Sequence, residues 1–432
     1  MKKIAIQVLY RFLFLPFLAA TLLAAEAPYE ILLKGGTVID PQNGIHGKRD
    51  VAIQDGKIAA MSEAIAESSA RKVIDVSGLI VTPGLVDIHT HLYATAGYRN
   101  AWAGDNSVLP DGFSFRSGVT TMVDAGSAGW RNFEDFKNRV IDRAQTRVFA
   151  LLNIVGLGMI SESIEQNLQD MEPKVTAEMA GKYKDVVVGI KTAHYQGPDW
   201  TPIERAIEAG TQANIPVMVD FGAFREERPF DLLVTEKLRP GDIATHLFRG
   251  PVPFLDRDGN LYSYLDKARK KGVKFDVGHG GGSFVFRNAA VSIQVGFFPD
   301  SISTDLHGGS MNAGMMDMVT LMSKMLVLGV PLADVIREST TNPAQMIHHP
   351  ELGHLSVGAT ADIAVLNLMN GHFGYVDAHG GKIEGSQRLI CEMTFKGGKV
   401  VWDWNGRSAR DYHLLGFTYG NLKTDQVVLP KP

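Results

Sequence analysis

Cysteine is nearly missing from this 432-residue sequence: Cys391 stands alone, so no intramolecular disulfide can form. Neither sign of charge is in large excess, because the sequence has 43 Lys and Arg and 47 Asp and Glu. This balance argues against a nucleic-acid groove or a strongly basic membrane surface. The remaining composition, 45% hydrophobic and 21% charged, is that of an ordinary globular protein. The length suits one α/β barrel of roughly 250 residues with a smaller second domain.

Long apolar runs are absent except at the N-terminus. Two lysines open the chain, an apolar run follows from about Phe12 to Leu23, and small residues end at Ala27. This order is typical of a secretory signal peptide, and Pro28 favours cleavage near Ala25. An uncleaved anchor is the alternative, but the run is shorter than the roughly 20 residues of a spanning helix. We expect a signal peptide over residues 1–25, a periplasmic or secreted protein, and no stable membrane span after cleavage.

Both ends of the remaining chain are rich in short β-branched segments. Residues 31–40 and 51–60 contain Gly-Gly and Asp-Gly pairs that are typical of hairpin turns. Similar composition returns in ADIAVLNL, from Ala361, and in CEMTFKGGKVVWDW, from Cys391. These patterns predict a small β-sandwich domain built from both chain termini. Its first part is residues 26–83, and residues 350–432 form its second part with a C-terminal tail.

The middle of the chain, residues 84–349, alternates apolar runs with helical patterns. The eight runs are LVDIHTH from Leu85, TTMVDAG from Thr120, RVFALLNI from Arg147, VVVGIKT from Val186, PVMVDFG from Pro216, DIATHLF from Asp242, KFDVGHG from Lys274 and SISTDLH from Ser301. Eight strands alternating with helices predict a parallel sheet that closes into a (β/α)₈ TIM barrel. An open doubly wound sheet is the alternative, but no phosphate-binding glycine fingerprint follows the first run.

Polar side chains stand at or near the C-terminal ends of six of these runs, where barrel strands converge on one mouth. They are His89, His91, Lys191, Asp220, His246, His279 and Asp305. Each alone has a structural explanation, whereas the whole set at corresponding strand ends indicates a site. His89 and His91 are two apart, so both imidazoles can face one divalent metal.

VTPGLVDIHTH resembles the first strand of the amidohydrolase superfamily. GVTTMVDAGSAG, GIKT, FDVGHG and SISTDLH resemble its deacetylase branch, which is close to dihydroorotases. The resemblance runs from about Ile31 to Trp404 and implies two metals. One would be held by His89, His91 and Asp305, and the second by a histidine pair from strands five and six. A carboxylated Lys191 would bridge them.

Strand five departs from that pattern, because Asp220 stands where the branch usually places histidine. His246 matches the ligand of strand six. Asp220 is either a direct ligand or a neighbour of the ligands, or His194 substitutes for the missing histidine. The resemblance therefore implies one or two divalent metals, zinc first and manganese as the alternative.

The implied mechanism is attack by a metal-activated hydroxide, with Asp305 as general base and then general acid. His279 is a candidate for binding substrate or steadying the oxyanion, since glycines follow it. His194, Tyr195 and Arg225 lie on loops after strands four and five and are candidates for substrate binding.

The leading hypothesis is hydrolysis of an amide or ester bond in a small molecule, as a deacetylase or other deacylase. A cyclic amide hydrolase of dihydroorotase or hydantoinase type is the nearest rival, because specificity lies in loops that the sequence does not decode. An inactive barrel that serves as a binding or scaffold protein is the rival from another class. We expect a small-molecule substrate and no nucleic-acid partner. A homo-oligomer is compatible with the sequence, which does not decide it.

Overall fold

The computed structural model describes residues 27–414, so the expected signal peptide over residues 1–25 and the tail after residue 414 lie outside the described part. Within that part, no helix combines the length and the apolar character that crossing a bilayer requires. The described chain is a mixed α/β structure with two β-sheets.

Strands from the two ends of the chain join in one eight-stranded sheet, ordered β15-β14-β13-β5-β1-β2-β3 with β4 beside β1. The strands are β1 Tyr29–Asp40, β2 Ile45–Gln54, β3 Lys57–Ser62, β4 Ala70–Asp75, β5 Ile80–Pro83, β13 Ile363–Val376, β14 Lys382–Lys396 and β15 Lys399–Asp403. The ends meet where β5 pairs antiparallel with β13, Val81 opposite Val365. Asp55 and Gly56, both with positive φ, make the tight hairpin between β2 and β3.

The second sheet holds seven parallel strands in sequential order. They are β6 Leu85–Thr90, β7 Val119–Gly129, β8 Arg147–Asn153, β9 Val187–Thr192, β10 Val217–Val219, β11 Ile243–Ala244 and β12 Lys274–Phe275. Strands β6, β7 and β9 are buried along their whole length, which explains why their sequences are apolar runs rather than alternating patterns.

The eighth predicted strand, SISTDLH, has only isolated bridges. Ser301 pairs in parallel with Asp276 beside β12, and Leu306 pairs in parallel with Thr90 at the end of β6. The segment therefore lies between the two edges of the parallel sheet. Asp305, where φ is +49°, interrupts the extended backbone between these two bridges.

In residues 27–414, ten α-helices connect the strands: α1 Phe133–Phe136, α2 Glu162–Glu165, α3 Pro173–Lys182, α4 Thr201–Ala213, α5 Phe230–Leu232, α6 Ser263–Lys271, α7 Phe286–Gln294, α8 Met318–Val327, α9 Leu332–Ser339 and α10 Thr341–Met346. Their ends follow local chemistry. Helix α4 has Pro202 in its first turn and ends at Asn214 in the left-handed conformation. The Asp317 side chain caps α8 by accepting from the Thr320 amide.

A buried apolar cluster joins the strands of the parallel sheet to helix α10. It packs Val86, Ile88 and Met218 from the strands against Ala344 and Ile347 around helix α10. Burial of a large apolar side chain contributes about 1.5–3 kcal/mol. This packing holds the strands in register, and their C-terminal ends then carry the polar residues described next.

Candidate metal centre

His89, His91 and Asp305 form a compact set of buried donor atoms, all within 4.8 Å of one another. Asp305 Oδ1 lies 3.1 Å from His91 Nε2 and 3.6 Å from His89 Nε2. Two imidazoles and one carboxylate are a donor set that suits zinc, and three protein ligands leave a coordination position for water or substrate. We call these three residues the triad.

The far sides of both imidazoles are held by hydroxyl groups. His89 Nδ1 lies 3.0 Å from Thr245 Oγ1, and His91 Nδ1 lies 3.0 Å from Ser127 Oγ. The Thr245 hydroxyl donates its proton to Asp276 Oδ2 at 2.7 Å, so it must accept from His89 Nδ1. The proton of His89 is thereby on Nδ1, and the lone pair of Nε2 faces Asp305.

Burial, reinforced by the nearby Lys191, lowers the pKa of His89 to about 3. The Asp305 carboxyl behaves in the opposite sense: burial raises its pKa, but the imidazoles of His89 and His91 outweigh this and hold it well below its usual range. Neutral imidazole and ionised carboxylate are the protonation states that metal binding needs.

Lys191 is the next-to-last residue of strand β9 and lies beside the triad. Its Nζ lies 3.2 Å from His89 Nε2 and 3.4 Å from Met218 Sδ, and the residue is 1% exposed. Burial lowers the pKa of this amine, against the raising effect of Asp220 and other carboxylates. Gly126 makes room for the side chain, because a Cβ there would lie 2.6 Å from Lys191 Cγ.

Asp220, directly after β10, is surrounded by donors. Its Oδ1 accepts from the Gly222 amide at 3.0 Å and lies 3.3 Å from Arg249 Nη1. Its Oδ2 lies 3.3 Å from His194 Nε2 and 3.5 Å from His246 Nε2. Burial raises the pKa of this carboxyl, but the neighbouring basic groups outweigh it and hold the pKa well below the usual range.

His194 stands between two carboxylates. Its Nδ1 lies 2.9 Å from Glu165 Oε1, and its Nε2 faces Asp220. Burial lowers the pKa of His194, but Glu165 and Asp220 outweigh this and raise it to about 9. The residue was a substrate-binding candidate, and its side chain is 31% exposed beside the triad.

His246 connects Asp220 to the triad. Its ring centre lies 5.0 Å from that of His89, and its Nδ1 lies 2.7 Å from the Gly278 carbonyl oxygen. His246, His194 and Asp305 all have positive φ, a conformation that costs non-glycine residues energy. Three such residues in one cluster indicate that the surrounding structure enforces their positions.

Three other predicted site residues bond with protein groups outside the triad. His279 Nδ1 lies 2.8 Å from the Gly280 carbonyl, its Nε2 lies 2.8 Å from Lys324 Nζ, and its ring is 0% exposed. Tyr195 donates to Asp199, and Arg225 donates to the Gln196 carbonyl. The geometry therefore argues against direct contact between these three side chains and a substrate carbonyl at the triad, because their polar atoms are engaged elsewhere.

Trp102 and His307 complete the wall beside the triad, and the sequence patterns did not single them out. Trp102 lies 4.1 Å from His307, 5.2 Å from His91 and 6.0 Å from His194, measured between ring centres. Burial lowers the pKa of His307 to about 4, so the ring is neutral. The position of His307, two residues after Asp305, was the available signal; Trp102 lies in a loop without a pattern.

Comparison with known proteins gives the class. The model of the Amidohydrolase family matches residues 287–401. A deacetylase of Agrobacterium fabrum is 34% identical over 339 residues, which are 76% of this chain and 80% of the relative. A solved adenine deaminase superposes with a TM-score of 0.77 at 28% identity, over 87% of this chain and 100% of that one. A solved dihydroorotase gives 0.76 at 29% identity, over 86% and 99%.

Fold, triad and relatives together define a hydrolase that acts on carbon–nitrogen bonds. The chain belongs to the amidohydrolase family, whose members are generally metal-dependent. The resemblance inferred from VTPGLVDIHTH and the later motifs is confirmed.

Proposed function

We propose that this protein removes an acyl group from a small molecule by hydrolysing an amide or ester bond. The triad is the observation that carries the proposal, since its Oδ1 and two Nε2 atoms face one point. The deacetylase relative supports the acyl class of substrate. We also propose that the parallel sheet, with the 301–306 segment between its edges, is an eight-stranded barrel, and that the terminal sheet is its companion sandwich.

A divalent metal would be held by His89, His91 and Asp305. The donors are borderline nitrogen and hard oxygen, so we propose zinc, with manganese as the alternative. When bound, the metal lowers the pKa of a coordinated water to about 7. Lys191 is buried where its neutral amine is favoured, and we propose that this nitrogen adds to carbon dioxide and loses one proton, giving a carbamate that would supply a further anionic oxygen.

Asp305 carries the proton in this proposal. Its Oδ1 faces the two imidazoles, whereas its Oδ2 faces Gly280, where a Cβ would lie only 2.1 Å away. The missing side chain leaves this oxygen room for a water proton. The depressed pKa of Asp305 keeps it ionised and able to accept that proton. It then returns the proton to the leaving nitrogen or oxygen.

Trp102 and His194 shape the approach to the triad, and both remain partly exposed beside it. We propose that the Trp102 ring packs against the apolar part of the substrate. His279, whose ring bonds with Lys324, would act only by positioning the loop that carries Gly280.

A cyclic amide is the second candidate substrate. The superposition with a dihydroorotase, at a TM-score of 0.76 and 29% identity, favours it. The two substrate types share the polarised carbonyl and differ only in the group that the loops must hold.

A panel of N-acetyl amino acids, acetyl esters and cyclic imides tests these alternatives. We expect turnover in the acyl compounds, abolished by chelation and restored by zinc. Asp305→Asn should lower kcat by at least about a hundredfold, since general acid–base catalysis contributes typically 10²–10⁴-fold. Turnover of the cyclic imides alone would favour the second candidate. An inert protein across the panel, loaded with metal, would leave a binding or scaffold role.

A further inference from the structure

We infer that the pocket around Asp220 is a closed ion-pair site rather than a second metal site, so that the centre holds one divalent ion per chain. The inference rests on the proposed metal-dependent function. It concerns the position where strand five carries aspartate instead of the histidine that a two-metal centre would use.

Protein groups surround both oxygens of Asp220, and two of them donate to Oδ1. A carboxylate offers about four lone-pair positions. The Gly222 amide and Arg249 occupy Oδ1 at 3.0 and 3.3 Å, and His194 and His246 face Oδ2 at 3.3 and 3.5 Å. A metal ion that bound through Oδ1 would have to displace the Gly222 amide or Arg249.

His194 has no lone pair to offer in this arrangement. Its two ring nitrogens face carboxylate oxygens of Glu165 and Asp220, and carboxylates only accept. Both contacts are hydrogen bonds only when both nitrogens carry protons. Glu165 Oε2 has no hydrogen-bond partner in residues 27–414.

Arg249 adds a permanent positive charge at the same point. Its Nη1 contacts Asp220 Oδ1 and donates to the Gly222 carbonyl at 3.1 Å, and the guanidinium cannot deprotonate. Two cations, Arg249 and His194, therefore flank the single carboxylate. A dication in this pocket would be repelled by both.

The spacing of the potential metal-binding atoms also supports a single metal site. Across the described residues 27–414, the triad is the one group of three His, Cys, Asp or Glu donors whose atoms lie within 4.8 Å of one another. On the strand-five side, His246 and Asp220 remain, and Arg249 contacts Asp220 at 3.3 Å. Lys191 Nζ lies 3.2 Å from His89 Nε2, on the side of the triad.

Metal stoichiometry tests the inference without using activity. The full chain is loaded with excess zinc, freed of unbound metal, and measured by inductively coupled plasma mass spectrometry. We expect about one zinc per chain, and the same for Asp220→Asn, whereas His91→Asn should fall well below one. Two zinc per chain in the wild type, or loss of one equivalent in Asp220→Asn, would overturn the inference.

Anomalous diffraction from zinc-loaded crystals of the wild type keeps the test independent of variant folding. One peak at the triad supports the inference, and a second peak at Asp220 overturns it. The outcome is separable from the proposed function. One bound zinc with no hydrolysis of any acyl compound would reject the deacylase and leave the single-ion centre standing.

Discussion

Replacing Thr245 by valine removes the hydroxyl that holds His89 in the tautomer required for metal binding. Thr245 Oγ1 accepts from His89 Nδ1 at 3.0 Å and donates to Asp276 Oδ2 at 2.7 Å. Valine has nearly the same shape, so the change deletes hydrogen bonds with little loss of packing. The ring of His89 would then be free to carry its proton on Nε2, the nitrogen that faces Asp305.

The expected loss can be worked out from the contacts. Loss of an outer hydrogen-bond partner of a metal-ligating histidine typically lowers metal affinity about 10–100-fold. Here Asp276 Oδ2 lies 3.7 Å from His89 Nδ1 and can partly replace the hydroxyl. We therefore expect the metal Kd to rise by about tenfold, at the lower end of that range. The unsatisfied buried groups should also lower the free energy of unfolding by about 1–3 kcal/mol.

Ser303→Ala is the matched control. Ser303 Oγ donates to the same Asp276 Oδ2 at 2.7 Å but does not bond with His89. It should cost similar stability and change the metal Kd by less than about threefold. The assay is competition between the protein and a chelating dye for zinc, with unfolding by urea measured in parallel. An unchanged Kd in Thr245→Val, or equal changes in both variants, would refute the tautomer argument.

Three further results are expected. Gly126→Ala should lower both turnover and the free energy of unfolding measured in urea. The reason is that φ is +87° at this position and a Cβ would lie 2.6 Å from Lys191 Cγ. Wild-type values for both quantities would contradict this prediction. Burial raises the pKa of the Glu338 carboxyl to about 9, so the native state keeps its proton where the unfolded chain, near pH 4.5, has lost it. The stability of the wild type should therefore fall as pH rises from about 4.5 to about 9, and Glu338→Gln should flatten that fall in thermal unfolding; parallel curves would reject the assignment. Expressed in a bacterial host, the mature protein should start near residue 26, as N-terminal sequencing of the periplasmic fraction would show; an intact N-terminus would contradict export.

The positions of polar residues at the ends of apolar runs predicted the candidate metal centre, because this prediction depends on one property of parallel sheets. His89, Lys191, His246 and Asp305 are far apart in sequence, yet each follows an apolar run. The carboxyl ends of parallel strands meet at one edge, so such residues converge whatever their separation. In the structure, His89 contacts both Asp305 and Lys191, and His246 contacts Asp220.

The sequence pattern does not predict the direction in which each side chain points. His279 follows an apolar run as the others do, but its ring turns to Lys324 and stacks on Phe284 with ring centres 4.5 Å apart. The flanking Gly278 and Gly280 both have positive φ, and glycine sequences do not specify which way such a turn points.

The sequence by itself determined the class of fold, the family and the positions from which metal-binding atoms come, because apolar periodicity and strand-end polarity are local properties of the chain. Only the tertiary structure decided which groups surround Asp220. Arg249 contacts Asp220 from a loop, and Glu165 contacts its neighbour His194 from the end of helix α2; no spacing in the sequence relates them. The charge balance of that pocket is a sum over contacts between distant segments, which exists only once the chain is folded.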